Sequence, residues 1–436
     1  MNTDDGAISG SPYQDYLYAY PHKTAYRPLD PPWPLERAWA GEPRTALFAY
    51  VHVPFCRIRC GFCNLFTAAR PGADLVEDWL SALERQARQV ARALGPARYA
   101  RVALGGGTPT FLEPAQLERV LDLVEGTLGA GLMGVPAGVE VSPETATPER
   151  LRLLRARGID RVSIGVQSFV ETETRAVLRP QRHDAVEAAL DRIRAEGFPV
   201  LNLDLIYGID GQTPGSWEAS LERALRWSPE ELYLYPLYVR PLTGLSARDR
   251  RWDDHRLGLY RLGRELLRAR GYRQVSMRMF RRQDAEDLAG PVYRCQEDGM
   301  VGLGCGARSY TRRLHYSTEY AVAAGGVREI IAAYAQKSDQ ELACADWGFE
   351  LDLAEQRRRW LILSLLADGV SRAEWRARFG DPLDDSALAP LVAAGLAQDD
   401  GARIWLTDAG VERSDAIGPW LVTPAVRARM DAWELR

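Results

Sequence analysis

Between Leu47 and Tyr238, six short apolar runs alternate with longer amphipathic stretches. This alternation constrains the fold more than any other feature of the chain. The runs predicted as strands are 47–54, 99–104, 138–142, 160–167, 199–206 and 231–238. Helical spacing falls at 74–94, 113–128, 148–157 and 182–196. Connections this long do not make hairpins, so they predict a parallel sheet. Six such units predict an α/β fold, an open, partial version of the eight-unit TIM barrel, with active residues at the strand C-termini.

The strands also say what the barrel encloses. Val162, Ile164 and Val166 share one face, and Ser163, Gly165 and Gln167 the other. Leu201, Leu203 and Leu205 oppose Asn202 and Asp204; Val139 and Val141 oppose Gly138, Glu140 and Ser142. Period-two alternation sends the apolar set toward the helices and the polar set inward. A closed barrel fills its interior with branched apolar side chains. A polar interior predicts a cavity for a polar cofactor.

Two other segments flank this core. Residues 1–45 are rich in tyrosine and proline without helical or strand periodicity, and predict an N-terminal arm packed across another surface. The barrel and its extension are expected over 46–325. After residue 325, helices near 350–372, 372–379 and 386–395 precede "GLAQDD" and "ARIWLTDAG", which read as a two-stranded wing. Residues 326–436 therefore predict a winged-helix-like helical domain. It has no basic stripe, and the whole chain carries a net charge of −4, so neither nucleic acid nor an anionic membrane is an expected partner. No apolar run approaches the ~20 residues that span a bilayer, and the first thirty residues do not read as a signal peptide. The expected location is cytoplasmic. Of 55 basic residues only Lys23 and Lys337 are lysines, and neither lies in a motif, which argues against Schiff-base chemistry.

Three of the six cysteines, Cys56, Cys60 and Cys63, crowd into "YVHVPFCRIRCGFCNLF" just past the first strand. A C-x3-C-x2-C pattern arises by chance in roughly one such sequence in a thousand. Three thiolates in one loop can hold three irons of a 4Fe-4S cluster and leave the fourth open to a ligand. The competing reading is zinc, which wants four ligands; the nearest histidine, His52, lies on the preceding strand.

The surrounding text resembles the radical S-adenosylmethionine (SAM) superfamily. "YVHVPFC", "GGGTPT", "VEVSPE", "IGVQSF", "LDLIYGIDGQT" and "GLGCGARSY" resemble, in order and spacing, the oxygen-independent coproporphyrinogen III oxidase family, which includes haem chaperones and radical methyltransferases. The resemblance implies that Cys56, Cys60 and Cys63 hold the cluster and that its open iron binds SAM. It also implies cleavage of SAM to methionine and a 5′-deoxyadenosyl radical. Tyr50, Gly105, Gly106, Gly107 and Glu140 match contacts to this first SAM, and Thr108 a further cofactor contact. Phe62, Gln167, Arg179 and Asp204 match the surroundings of a second. A small-molecule substrate and an electron donor such as flavodoxin or ferredoxin are the implied partners.

Two departures bear on the reaction. Leu65 stands where oxidases of the family carry a fourth cysteine, and "GPVYRCQEDGMVGLG" lacks the histidine of the haem chaperones, with Cys295 as a weak substitute. Cys305 reads as a small buried residue. The leading expectation is hydrogen abstraction of the coproporphyrinogen oxidase type, on a porphyrin-type substrate. Methyl or alkyl transfer with two SAM molecules, and a non-enzymatic haem chaperone, are the alternatives.

Overall fold

The computed structural model describes residues 10–245, 253–287 and 292–434. Its main sheet opens with β1 (Arg27–Pro34) and continues with β2 (Leu47–Val53), β3 (Tyr99–Gly106), β4 (Ala137–Val141), β5 (Arg161–Gln167), β6 (Val200–Tyr207) and β7 (Glu231–Pro236). The remaining strands are β8 (Tyr272–Gln274), β9 (Met279–Arg282), β10 (Met300–Leu303), β11 (Arg308–Tyr310), β12 (Leu314–Ser317) and β13 (Cys344–Glu350). The spatial order is β1-β13-β12-β11-β10-β2-β3-β4-β5-β6-β7-β9-β8. Strands β2 to β7 are the six predicted runs, all parallel and in sequence order. The two ends of the sheet do not pair with each other, so the barrel is open.

The helices between them follow simple rules. Ala73–Leu94 buries Val76, Trp79, Leu80, Leu83, Ala87, Val90 and Leu94, an i, i+3/i+4 stripe against the sheet, and stops at Gly95 with φ +60°. Helices Pro148–Ala156, Pro214–Leu225 and Pro424–Asp431 each begin with proline behind a threonine. In all three the threonine hydroxyl accepts a backbone N–H of the first turn. The stretch expected as one helix over 113–128 is α-helical only to Asp122 and widens to a π turn over Leu123–Thr127.

The sheet runs past the expected boundaries on both sides. Arg27–Pro34, expected within the arm, pairs antiparallel with Cys344–Glu350, expected within the helical domain. These segments carry prolines or mixed polarity, so period alone does not mark them as strands. Beyond the sheet, Leu353–Leu366, Arg372–Phe379 and Ala389–Ala393 are helical, and Ala397–Asp399 pairs with Arg403–Leu406 as the expected wing. Val370–Ser371 adds a third, short strand. This region has its own core around Trp360, Trp375, Leu391 and Ile417, and Leu17, Tyr20 and Tyr26 of the arm are part of it.

The arm is laced to the barrel by tyrosines set over arginines. Tyr13 lies 4.3 Å from the Arg256 guanidinium, Tyr16 3.8 Å from Arg278 and Tyr18 4.5 Å from Arg308. Arg278 also forms a buried pair with Asp415 of the C-terminal region, the two side chains being 4% and 2% exposed. The Tyr238 hydroxyl donates to the same carboxylate. Removing one partner of a buried pair strands the other charge. Asp415→Ala should therefore destabilise the protein by about 3–5 kcal/mol in denaturant unfolding. The double variant Arg278→Leu/Asp415→Leu should lose much less.

Candidate active site

Strands β2 to β6, or the loops after them, each deliver something to one cavity of about 180 Å³. After β2 come Cys56, Cys60, Phe62 and Cys63; β3 ends in Gly106, Gly107 and Thr108; β4 supplies Glu140 and Ser142. From β5 come Ser163, Gly165 and Gln167, with Arg179 in the following loop, and from β6 comes Asp204. The apolar partners on the opposite faces, Val162, Ile164, Leu203 and Leu205, are fully buried against the helices. The alternation read from the sequence thus separates core from site.

Glycines in the turn after β3 are required by contact. A Cβ at Gly106 would sit 2.6 Å from the His52 ring, and its φ of +108° disfavours any side chain. At Gly107 it would meet the Phe55 carbonyl at 2.5 Å. Gly105 is closed in by Glu140 and Tyr50 at 3.0 and 3.2 Å. Bare backbone therefore faces the cavity, and the Gly106 amide donates to Glu140 at 3.2 Å. On β5 a register shift between Gly165 and Gln167 leaves Gln167 at φ +67°, an uncommon conformation that sets its amide beside Gly165.

The cysteine loop fits a cluster. All three thiols are free and half-buried on the cavity wall. Cys56 is held by the Thr67 hydroxyl at 3.2 Å and lies 3.5 Å from that of Thr108. Arg179 donates to the Cys60 sulfur at 3.2 Å and to the Gly165 carbonyl at 2.8 Å, bringing a positive charge to a site that must hold thiolates. Among the described residues, no three His, Cys, Asp or Glu side chains lie close enough to hold a single metal ion. Three thiols in one loop are the number that a cluster with one open iron takes, one short of a structural zinc site. His52 is committed elsewhere: Nε2 lies 2.8 Å from the Phe66 carbonyl and Nδ1 3.2 Å from the Tyr50 hydroxyl. Burial pushes its pKa down to about 4, so the ring is neutral.

Tyr50 and Gly105 are the two predicted residues that do not line this cavity. Tyr50 faces a smaller neighbouring cavity of about 100 Å³, which shares Leu65, Gly106 and Glu140 with the first. Burial, and then the nearby Asp204 charge, raise Glu140 to about 7. Burial likewise raises Asp204 to about 6, against the Asn202 amide that donates to it at 2.8 Å. Cys305 is fully buried in the core, as expected for a small apolar residue. Cys295 lines a separate groove beside Arg278 and Tyr293, away from the cysteine loop. Thr67 and Gln181 are wall or support residues that the motif reading missed, whereas Ser142 lines the wall as its place on the inward face predicts.

Three thiols at the mouth of an open parallel barrel, facing a glycine turn and inward carboxylates, define a class. The chain matches the radical SAM superfamily over residues 50–224 and the HemN C-terminal domain over 351–412. It belongs to that superfamily. Its similarity to the solved coproporphyrinogen III oxidase (HemN) from Escherichia coli has a TM-score of 0.81 at 25% identity, over 94% of this chain and 97% of that one. The chain is thus a member of the oxygen-independent coproporphyrinogen III oxidase-like family. Its relatives carry two kinds of name. An oxygen-independent coproporphyrinogen III oxidase from E. coli K12 is 28% identical over 90% of each chain. A heme chaperone HemW from Bacillus subtilis is 28% identical over 82% of this chain and 94% of that one. No helix among the described residues is long and apolar enough to cross a membrane.

Anaerobic reconstitution should load about four irons and four sulfides per chain. Cys56→Ala, Cys60→Ala and Cys63→Ala should each abolish the thiolate-to-iron absorption, whereas Cys344→Ala, at the start of β13, should keep it.

Proposed function

We propose that this protein is a radical SAM enzyme that abstracts hydrogen from a small-molecule substrate of the coproporphyrinogen type. The observation that carries the reading is the convergence of Cys56, Cys60, Cys63, Glu140, Gln167, Arg179 and Asp204 on one cavity. When bound, the 4Fe-4S cluster and SAM supply a 5′-deoxyadenosyl radical through one-electron cleavage of the sulfonium.

The chain's own contribution is binding and orientation. The glycine turn lets the methionine end of SAM approach backbone, and Glu140, once ionised, receives its ammonium group. Arg179 spans Cys60 and the β5 carbonyl edge, where its guanidinium can also clamp a carboxylate of a second SAM, with Gln167 and Asp204 beside it. Phe62, half-buried against Val177 and Ile206, walls off solvent on that side. Exposed Arg57 and Arg70 flank Cys56, a basic rim suited to an acidic electron donor such as flavodoxin or ferredoxin.

A two-SAM methyl or alkyl transfer is the second reading, favoured by Leu65. This leucine, where oxidases of the family have a cysteine, is 47% exposed between the two cavities. The haem chaperone reading has less support, because Cys295 faces a groove apart from the cluster cavity.

Two measurements test these assignments. The first follows from the raised carboxyl groups. Their ionisation between about pH 6 and pH 8 creates the charge that an ammonium needs, so SAM binding in equilibrium dialysis should tighten over that range. Glu140→Gln should bind more weakly at pH 8 and show a flatter profile. The second counts ligands. The parent should bind two SAM molecules and Arg179→Ala one strongly, the other weakened about ten- to a hundredfold. A parent that binds a single SAM refutes the two-site assignment.

A further inference from the structure

The short helix Glu171–Ala176, between β5 and Arg179, carries a carboxyl group that no motif singles out. Glu173 is only 2% exposed. It accepts the Ser168 hydroxyl at 2.6 Å, the Gln212 side-chain amide at 3.1 Å and the Ser216 hydroxyl at 2.6 Å. Ser168 stands just after β5, whereas Gln212 and Ser216 lie beyond β6, so one side chain ties together the segments that follow two neighbouring strands. Gln212 passes the tie on, its side-chain oxygen accepting the Gly208 amide at 2.7 Å. A buried carboxyl group held by three neutral donors is fixed in place, and so is the helix that carries it.

The other end of this helix meets the cysteine loop. The Val177 carbonyl accepts the amide of Gly61, between Cys60 and Cys63, at 2.9 Å. Leu178, at φ +53°, packs so close that a Cβ on Gly61 would lie 2.9 Å from its side chain. The Gly61 carbonyl in turn accepts the Leu245 amide at 3.0 Å. The Arg179 amide donates to the Thr174 carbonyl at 2.9 Å, and its guanidinium to the Cys60 sulfur at 3.2 Å. A movement of the helix by about 1 Å would break that last contact.

We propose that Glu173 is a positioning residue. By reaching the segments after β5 and β6 it fixes the helix that holds Gly61 and Arg179 against the cysteine loop, and through Arg179 it sets the surroundings of Cys60. The reach of the side chain carries the role, as residues behind a metal ligand commonly orient it. The proposal rests on the cluster assignment above and is independent of the substrate. Hydrogen bonds and positive charge at the sulfurs favour the reduced cluster, so a displaced Arg179 makes reduction harder.

The test is a redox titration of the full-length, anaerobically reconstituted protein without SAM, followed by the EPR signal of the reduced cluster. Arg179→Ala should move the potential to more negative values. Glu173→Asp, a carboxyl group one methylene short of its donors, should move it the same way by at least half as much. Glu173→Gln keeps the reach and should stay near the parent. The double variant Glu173→Asp/Arg179→Ala should go no further than Arg179→Ala, because effects that travel through one residue do not add. Asp415→Ala, destabilised outside the site, should keep the parent potential, which separates positioning from lost stability. A parent-like potential in Arg179→Ala or Glu173→Asp, a shift in Glu173→Gln as large as that in Glu173→Asp, or additive shifts in the double variant overturns the proposal. Hydrogen exchange of the Gly61 amide in the cluster-free protein should be about tenfold faster in Glu173→Asp and unchanged in Glu173→Gln. If the parent takes up no iron, the cluster assignment fails, and this exchange alone decides whether Glu173 holds the loop.

Discussion

A parallel sheet that carries Glu140, Gln167, Asp204 and Ser163 on its inner face cannot close on itself. A closed barrel needs that interior filled with apolar side chains, and buried carboxyl groups without partners are expensive. The rest of the molecule follows from this constraint. The sheet stays open, the polar residues share one cavity, and other segments must cover what the missing strands would have covered. The raised pKa values of Glu140 and Asp204 record the same tension, since both are held where ionisation is disfavoured until a cation meets them.

The cover comes from both ends of the chain. From the N-terminal side, Tyr13, Tyr16 and Tyr18 settle on arginines of the barrel, while Tyr20 and Tyr26 enter the C-terminal core. From the C-terminal side, Asp415 meets Arg278 in a buried pair that Tyr16 also caps. The winged region is in this light a packing module that fixes the arm. Cation–π and charge pairs suit the purpose, because an arginine on the barrel can be satisfied by a tyrosine face without a carboxylate being brought near the site.

Much of the site was legible in the chain because its signals are local. The cysteine spacing, the triple glycine and the alternation in β4, β5 and β6 are properties of consecutive residues, and strand geometry turns them directly into facing side chains. The contact of Arg179 with Cys60 was not legible, the two being 119 positions apart. The split of the predicted SAM contacts was equally hidden: Tyr50 and Glu140 touch Gly105 from two sides, yet only Glu140 reaches the cysteine cavity.

By itself the sequence determined the six parallel strands, the polar inner face and the three-thiol loop, because hydrophobic period and ligand spacing are written within a few residues of each other. Only the tertiary structure decided that Arg27–Pro34 and Cys344–Glu350 extend the sheet and that Arg179 reaches Cys60. These depend on pairing and packing between segments far apart in the chain, where no local pattern records which charge will meet which.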